Sequence, residues 1–135
     1  MSGDESCAGE PRVRTTLRGE RPRVLVLEDD AAVRRAWEGT AQAAGVSLRV
    51  AASEREARTW LAAEAFDLVL CDLHLEGSET SVALVRELAC ARVPLVAVVS
   101  GDPKAAIGAL GLSVPVFAKP VRLRDVLEEL GLAGG

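Results

Sequence analysis

Histidine occurs once in the 135 residues, at position 74, and cysteine three times, at 7, 71 and 90. An odd number of widely spaced cysteines with no CxxC pair offers neither a disulfide frame nor a zinc site, and it fits a reducing compartment. The N-terminus lacks the long apolar stretch of a signal peptide. The most apolar run, Val93–Val99, contains Pro94 and is far too short to span a bilayer. Lysine is nearly missing, since of the 16 basic residues only Lys104 and Lys119 are lysine. Positive charge is not in surplus either: the formal net charge is −4, whereas nucleic acid calls for strongly basic faces. These absences leave a soluble cytoplasmic chain that binds neither nucleic acid nor a membrane.

What is present suits one globular domain. The length is that of a single domain, and 49% hydrophobic residues can build a real core. Residues 1–22 hold Gly3, Gly9, Pro11, Gly19 and Pro22 and few large apolar side chains. Residues 1–23 carry five Arg against four acids, so this stretch is mixed in sign and no polycation. It reads as a flexible N-terminal arm, 1–22. The folded domain is then 23–131, followed by a short tail, 132–135.

Periodicity divides that domain into alternating elements. Val24–Leu27 is a continuous β-branched and aliphatic run followed by acids, the pattern of a strand buried on both faces. Asp30 is placed to cap a helix with Val33, Trp37, Thr40 and Ala44 on one face, and Gly45 stops it. Val46–Ala51 is a second strand. Ser53 and Glu56 form a capping box before a helix that turns Ala57, Trp60 and Leu61 inward. Leu68–Cys71 is a third strand, and Ser78–Ala91 a helix with Val82, Val85, Leu88 and Ala89 inward. Leu95–Val99 is a fourth strand. Asp102-Pro103 supplies an N-cap and first position for a helix that the spacing makes short. Val114–Ala118 is a fifth strand, and Leu123–Leu130 closes the domain with Val126, Leu127 and Leu130 inward. Strand and helix alternate five times, which predicts a parallel sheet covered by helices on both faces. In such doubly wound sheets ligands lie beyond the carboxyl ends of the strands.

The polar residues gather at those ends. The first strand ends in Glu28-Asp29-Asp30, the third in Asp72, the fourth in Ser100-Gly101 and the fifth in Lys119-Pro120. If strands one and three are neighbours, at least three carboxylates converge. Converging carboxylates repel, and a hard divalent cation relieves that cost. Mg²⁺ suits such oxygen ligands. A carboxylate can act as a nucleophile and take a phosphoryl group, whose charge then needs cations and hydroxyl donors around it. Ser100 and Lys119 are of the right type and at the right ends. In a chain that prefers Arg, a Lys at a strand end marks a place for a compact ammonium. Asp30 is read as a helix cap, not a ligand. Cys71 and Cys90 are read as small core residues, Trp37 and Trp60 as core, and Arg122 and Arg124 as solvated.

Four segments in this order carry a resemblance. Val24-Leu-Val-Leu-Glu28-Asp29-Asp30, Leu68-Val-Leu-Cys-Asp72-Leu-His-Leu, Val98-Val-Ser100-Gly101 and Phe117-Ala-Lys119-Pro120 together resemble the signature of bacterial two-component receiver domains, over about residues 23–131. The resemblance implies an α/β, flavodoxin-like sheet of order 2-1-3-4-5. It implies Asp72 as phosphoacceptor and Mg²⁺ as cofactor. Asp29 and Asp72 would ligate the metal, with Glu28 acting through water and His74 through its backbone carbonyl. Ser100 and Lys119 would contact the phosphoryl group, and the Lys119-Pro120 bond would be cis. The implied partner is a sensor histidine kinase or a phosphotransfer protein, and a homodimer is a further implied state. Such a chain signals by protein contacts and is not an enzyme on an external substrate. His74, two residues beyond the acceptor, could overhang the phosphoryl group and modulate its loss.

The chain departs from that family at several places. Glu76 stands where a Pro is usual, and Thr80 where a Gly is usual. Val116 replaces the usual aromatic three residues before the Lys, and Val121 follows Lys119-Pro120 in place of Phe. These departures spare the chemistry and point to a non-standard route for the output. They also favour an alternative, a pseudo-receiver that binds partners without being phosphorylated, against which the retained Glu28, Asp29, Asp72, Ser100 and Lys119 stand. A phosphohydrolase with an aspartyl nucleophile fits less well, because its first-strand Asp-x-Asp pair is absent.

Overall fold

A computed structural model describes residues 21–73, 79–90, 93–111 and 114–132. Among these, strands and helices alternate: β1 (Arg23–Leu27), α1 (Ala31–Ala44), β2 (Ser47–Ala51), α2 (Glu54–Ala63), β3 (Leu68–Asp72), α3 (Glu79–Ala89), β4 (Leu95–Ser100), α4 (Pro103–Leu110), β5 (Val116–Ala118) and α5 (Leu123–Glu129). The strands form one sheet in the order β2-β1-β3-β4-β5. Every neighbouring pair is parallel. This is the doubly wound, flavodoxin-like arrangement that the resemblance implied.

The unbroken apolar runs of the central strands follow from this layering, because both faces are covered. Successive side chains of a strand point to opposite faces. Leu25, Leu27, Val69, Cys71, Val96 and Val98 therefore pack on one side with Ala57 of α2 and with Leu84, Val85 and Leu88 of α3. Val24, Val26, Leu68, Leu70, Ala97 and Val99 pack on the other with Trp37 and Ala41 of α1 and Leu123, Val126 and Leu127 of α5. Each fully buried Leu or Val among them contributes roughly 1.5–3 kcal/mol relative to exposure. The edge strands β2 and β5 are only partly buried.

Local signals set the helix ends. The Asp30 carboxylate accepts from the N–H groups of Ala32 at 2.8 Å and Val33 at 3.2 Å. Gly45 ends α1 at φ 76°, in the left-handed region that a glycine adopts without strain. Ser53 Oγ accepts from Glu56 N–H at 3.2 Å, while the Glu56 carboxylate reaches back to Ala52 N–H. Asp102 caps α4 through Ala105 N–H at 3.2 Å, with Pro103 at its first position. α4 spans 8 residues, as short as the spacing required.

The structure corrects some details. The inward stripe of α1 runs through Ala41 and not Thr40, whose hydroxyl donates to the Ala36 carbonyl at 3.2 Å. A Thr near the rim of a helix satisfies its hydroxyl locally and leaves the buried position to the smaller Ala. α3 buries Leu84 beside Val85 and Leu88, whereas Ala89 lies half-exposed near its end. Cys90 lies outside the buried core, contrary to its reading as a small core residue. It sits half-exposed just after α3, where a sulfur can be reached. Cys71, in contrast, is fully buried and free. Trp60 is half-buried, donating Nε1–H to the Val50 carbonyl at 3.2 Å under the Arg49 guanidinium, which lies 4.6 Å from the ring centroid. The arm before residue 21 and the end of the tail lie outside the described residues.

Asp30→Ala is expected to lower the unfolding free energy in urea by about 1 kcal/mol, and Asp30→Ser to restore most of it. The loss follows from leaving two helix N–H groups without their acceptor.

Candidate functional site

Each site residue is delivered by the end of a strand. β1 and β3 are direct neighbours, with Leu27 opposite Cys71. The next residue on each, Glu28 and Asp72, therefore leaves the sheet beside the other. Both side chains are buried, Glu28 at 4% and Asp72 at 3% exposure. Asp29 lies beside them and is exposed. Ligand oxygens of Glu28, Asp29 and Asp72 all lie within 4.8 Å of one another, the one such acidic cluster among the described residues. On the far side of Asp72, β4 ends in buried Ser100. Lys119 follows β5, and its N–H donates to the Ser100 carbonyl at 2.9 Å. Its ammonium reaches across to Asp72, with Nζ 2.7 Å from Oδ2. The Lys119-Pro120 peptide bond is cis.

The electrostatics of the cluster are unbalanced. Burial pushes the Glu28 carboxyl up from its ordinary 4.5 to about 7, and the neighbouring Asp72 adds to the shift. The Asp30 N–H that donates to Glu28 Oε2 at 3.1 Å opposes it, as does the more distant Lys119 charge. The Lys119 ammonium pairs with Asp72, one of these three converging carboxylates. A hard divalent cation fits this donor set, since it takes oxygen ligands and removes the mutual repulsion.

Other expected residues fall as follows. The Ser100 hydroxyl oxygen accepts from Asp102 N–H at 2.9 Å. Asp102 is occupied as a cap, as its place before Pro103 indicated. Asp30 also caps, and its carboxylate is not part of the acidic cluster. The Cys71 thiol is pushed up to about 12 by burial, which makes it an inert core group. Arg122 and Arg124 are exposed and pair with Asp125 and Glu128 on their own helix. His74 and Glu76 lie outside the described residues. Val116 and Phe117 are both partly buried and pack on opposite faces of the sheet.

Sequence reasoning missed two features. Arg34 donates from Nη1 to the Glu28 carbonyl at 2.9 Å. The available signal was a basic residue early in α1, where the helix dipole disfavours positive charge. A cleft of about 420 Å³ also runs between α1 and the residues after β5, lined by Glu28, Val33, Trp37, Val99, Lys119 and Pro120. It joins the site to an apolar wall that only tertiary packing assembles.

A carboxylate cluster with a lysine on its central aspartate thus lies at the strand ends of a doubly wound sheet, where ligands of this architecture bind. Residues 24–130 match the model of the response regulator receiver domain, and the chain belongs to that family. A response regulator receiver protein from Pseudomonas putida is 30% identical, with a TM-score of 0.69 over 82% of this chain and 96% of that one. A response regulator from Thermotoga maritima is 29% identical, with a TM-score of 0.65 over 82% and 95%. A Burkholderia pseudomallei response regulator, crystallised with a phosphorylated aspartic acid, calcium ion and citrate, shares the fold at 24% identity, with a TM-score of 0.69 over 78% of this chain and 64% of that one. No curated protein matches the chain by sequence. No described helix is long and apolar enough to cross a membrane.

The raised Glu28 value sets a pH dependence. The folded state holds this proton more tightly than the unfolded chain does. Stability without metal is therefore greatest below pH 4.5 as far as this group is concerned, and is lost as the pH rises towards about 7. Glu28→Gln is expected to flatten that part of the curve and to raise the unfolding free energy of the metal-free protein at pH 8 by on the order of 3 kcal/mol. Urea unfolding in a chelating buffer at several pH values measures both.

Proposed function

We propose that this chain is a working phosphoacceptor: Asp72 takes a phosphoryl group from a sensor histidine kinase or a phosphotransfer protein in the cytoplasm, with Mg²⁺ bound beside it. The observation that carries this reading is the Lys119 ammonium held 2.7 Å from the buried Asp72 carboxylate, beside the cluster of Glu28 and Asp29. Asp29, Asp72 and, through water, Glu28 would hold the metal, together with the backbone carbonyl of His74. When bound, Mg²⁺ supplies positive charge to the oxygens of the transferring phosphoryl group.

The chain's own residues do the rest. An Asp72 carboxylate oxygen attacks the phosphorus and forms the new P–O bond. The donor's bond to phosphorus breaks and its electron pair leaves with the donor atom: a histidine nitrogen released in this way takes up a proton, whereas the carboxylate released from an acyl phosphate leaves as the anion. Lys119 lies where it can follow the charge from the Asp72 carboxylate to the phosphoryl oxygens. Ser100 supplies a hydroxyl at the adjoining strand end. The apolar cleft beside Glu28 and Lys119 gives the donor a surface to rest on. Residues 23–131 would form the receiver unit.

The output differs from the usual aromatic switch. Val116 is partly buried against the α2–α3 side of the sheet and has no ring to swing. Phe117 packs against the α1–α5 side and is not available in its place.

Intact mass after incubation with Mg²⁺ and acetyl phosphate tests the reading. Wild type should gain one phosphoryl group, lose that gain in chelator, and show none as Asp72→Asn. Lys119→Ala should keep metal binding and slow the gain by roughly 10²-fold or more, the scale for losing one charged group that stabilises a transition state. A wild-type chain that gains nothing and does not respond to Mg²⁺ would instead be a pseudo-receiver that binds partners unphosphorylated.

A further inference from the structure

Asp29 is the exposed member of the acidic cluster, and its own carboxylate has no cap or strand to fix it. What fixes it is the backbone on either side. Glu28 N–H donates to the Ala51 carbonyl of β2 at 2.9 Å. Asp30 N–H donates to Glu28 Oε2 at 3.1 Å. The Arg34 side chain acts on the near side: its Nη1 donates to Glu28 O at 2.9 Å, while its backbone N–H makes the ordinary first helical bond to Asp30 O at 3.0 Å. The guanidinium bond lies on the carbonyl of the peptide that joins Glu28 to Asp29. Rotation of that peptide would swing the Asp29 side chain, so the guanidinium holds Asp29 in place from behind.

We propose that Arg34 is a positioning residue that fixes Asp29 for a small octahedral cation and so makes the site favour Mg²⁺ over Ca²⁺. This rests on the metal-binding reading above. The chemistry follows from the demands of the two ions. Mg²⁺ requires near-ideal octahedral geometry, whereas Ca²⁺ accepts six to eight oxygens in a flexible shell. Loosening one carboxylate therefore costs Mg²⁺ binding more than Ca²⁺ binding. Partners that orient a metal ligand typically contribute 10–100-fold to affinity.

The sign of the effect separates positioning from simple charge. Removing a cation beside a divalent-metal site strengthens metal binding by Coulomb's law. Loss of positioning weakens it. A long-range electrostatic role and a positioning role thus predict opposite shifts for Arg34→Ala.

The test is titration of the full chain with MgCl₂ and separately with CaCl₂, read by tryptophan fluorescence, with Trp37 lining the cleft that contains Glu28. Thermal unfolding in chelator is measured in parallel. Arg34→Ala is expected to weaken Mg²⁺ binding about ten-fold, to weaken Ca²⁺ binding clearly less, and to leave the metal-free fold intact. Arg34→Lys keeps the charge on a shorter, single-headed donor and should show the same sign at smaller size. It is read alone if the alanine variant does not fold. Unchanged or tighter Mg²⁺ binding, or equal losses for both ions, would overturn the proposal. A wild-type protein that responds to neither ion would remove the metal-binding reading itself, a result distinct from a wild type that binds and a variant that does not differ.

Discussion

The register of two neighbouring strands governs everything else in this protein. With Leu27 of β1 opposite Cys71 of β3, Glu28 and Asp72 must emerge side by side. Each would be stable alone in water, but together and buried they repel. The Lys119 ammonium offsets part of it from the far side of Asp72. The remainder shows in the raised Glu28 carboxyl. A hard divalent cation among these oxygens would relieve that repulsion.

The rest of the fold keeps that register fixed. Two apolar layers clamp the central strands, and a slip of one residue would exchange side chains between the layers and part Glu28 from Asp72. The strand-end residues are tied across the sheet by backbone bonds, from Glu28 to Ala51, Leu73 to Val99 and Lys119 to Ser100. Asp30, Asp102 and Ser53 start their helices directly after these ends. The same turns that terminate the strands therefore aim the site and launch the covering helices. This coupling explains why a charged cluster can sit at the edge of an aliphatic core without loosening it.

The two faces of the sheet have different tasks. The α1–α5 face borders the cleft that opens beside Glu28 and Lys119, and it carries Trp37 and Phe117. The α2–α3 face is closed over Cys71 and Val116 and is braced outside by Arg58, which joins Glu54 of α2 to Glu87 of α3. That ion pair holds the Glu87 carboxyl below its usual range through the Arg58 guanidinium. It is exposed, so its worth is geometric more than energetic. Short α4 joins β4 to β5 and packs on both, capped at its ends by Asp102 and Gly111. It is the element whose first residue is closest in sequence to Ser100.

Much of this was written in the residues themselves. Alternating apolar runs and caps determined the number and order of elements, because burial on both faces and orphan N–H groups leave a local trace. The identity of the site residues was legible too, since Glu28, Asp29, Asp72, Ser100 and Lys119 break apolar strands at their ends. Tertiary structure alone decided which of them meet, through the adjacency of β1 and β3 and the reach of Lys119 from β5. It also decided the Arg34 bond and the cleft, neither of which follows from spacing. The reason is physical: periodicity and capping depend on neighbours in sequence, whereas charge repulsion, a carbonyl's partner and the walls of a cavity depend on groups brought together from distant parts of the chain.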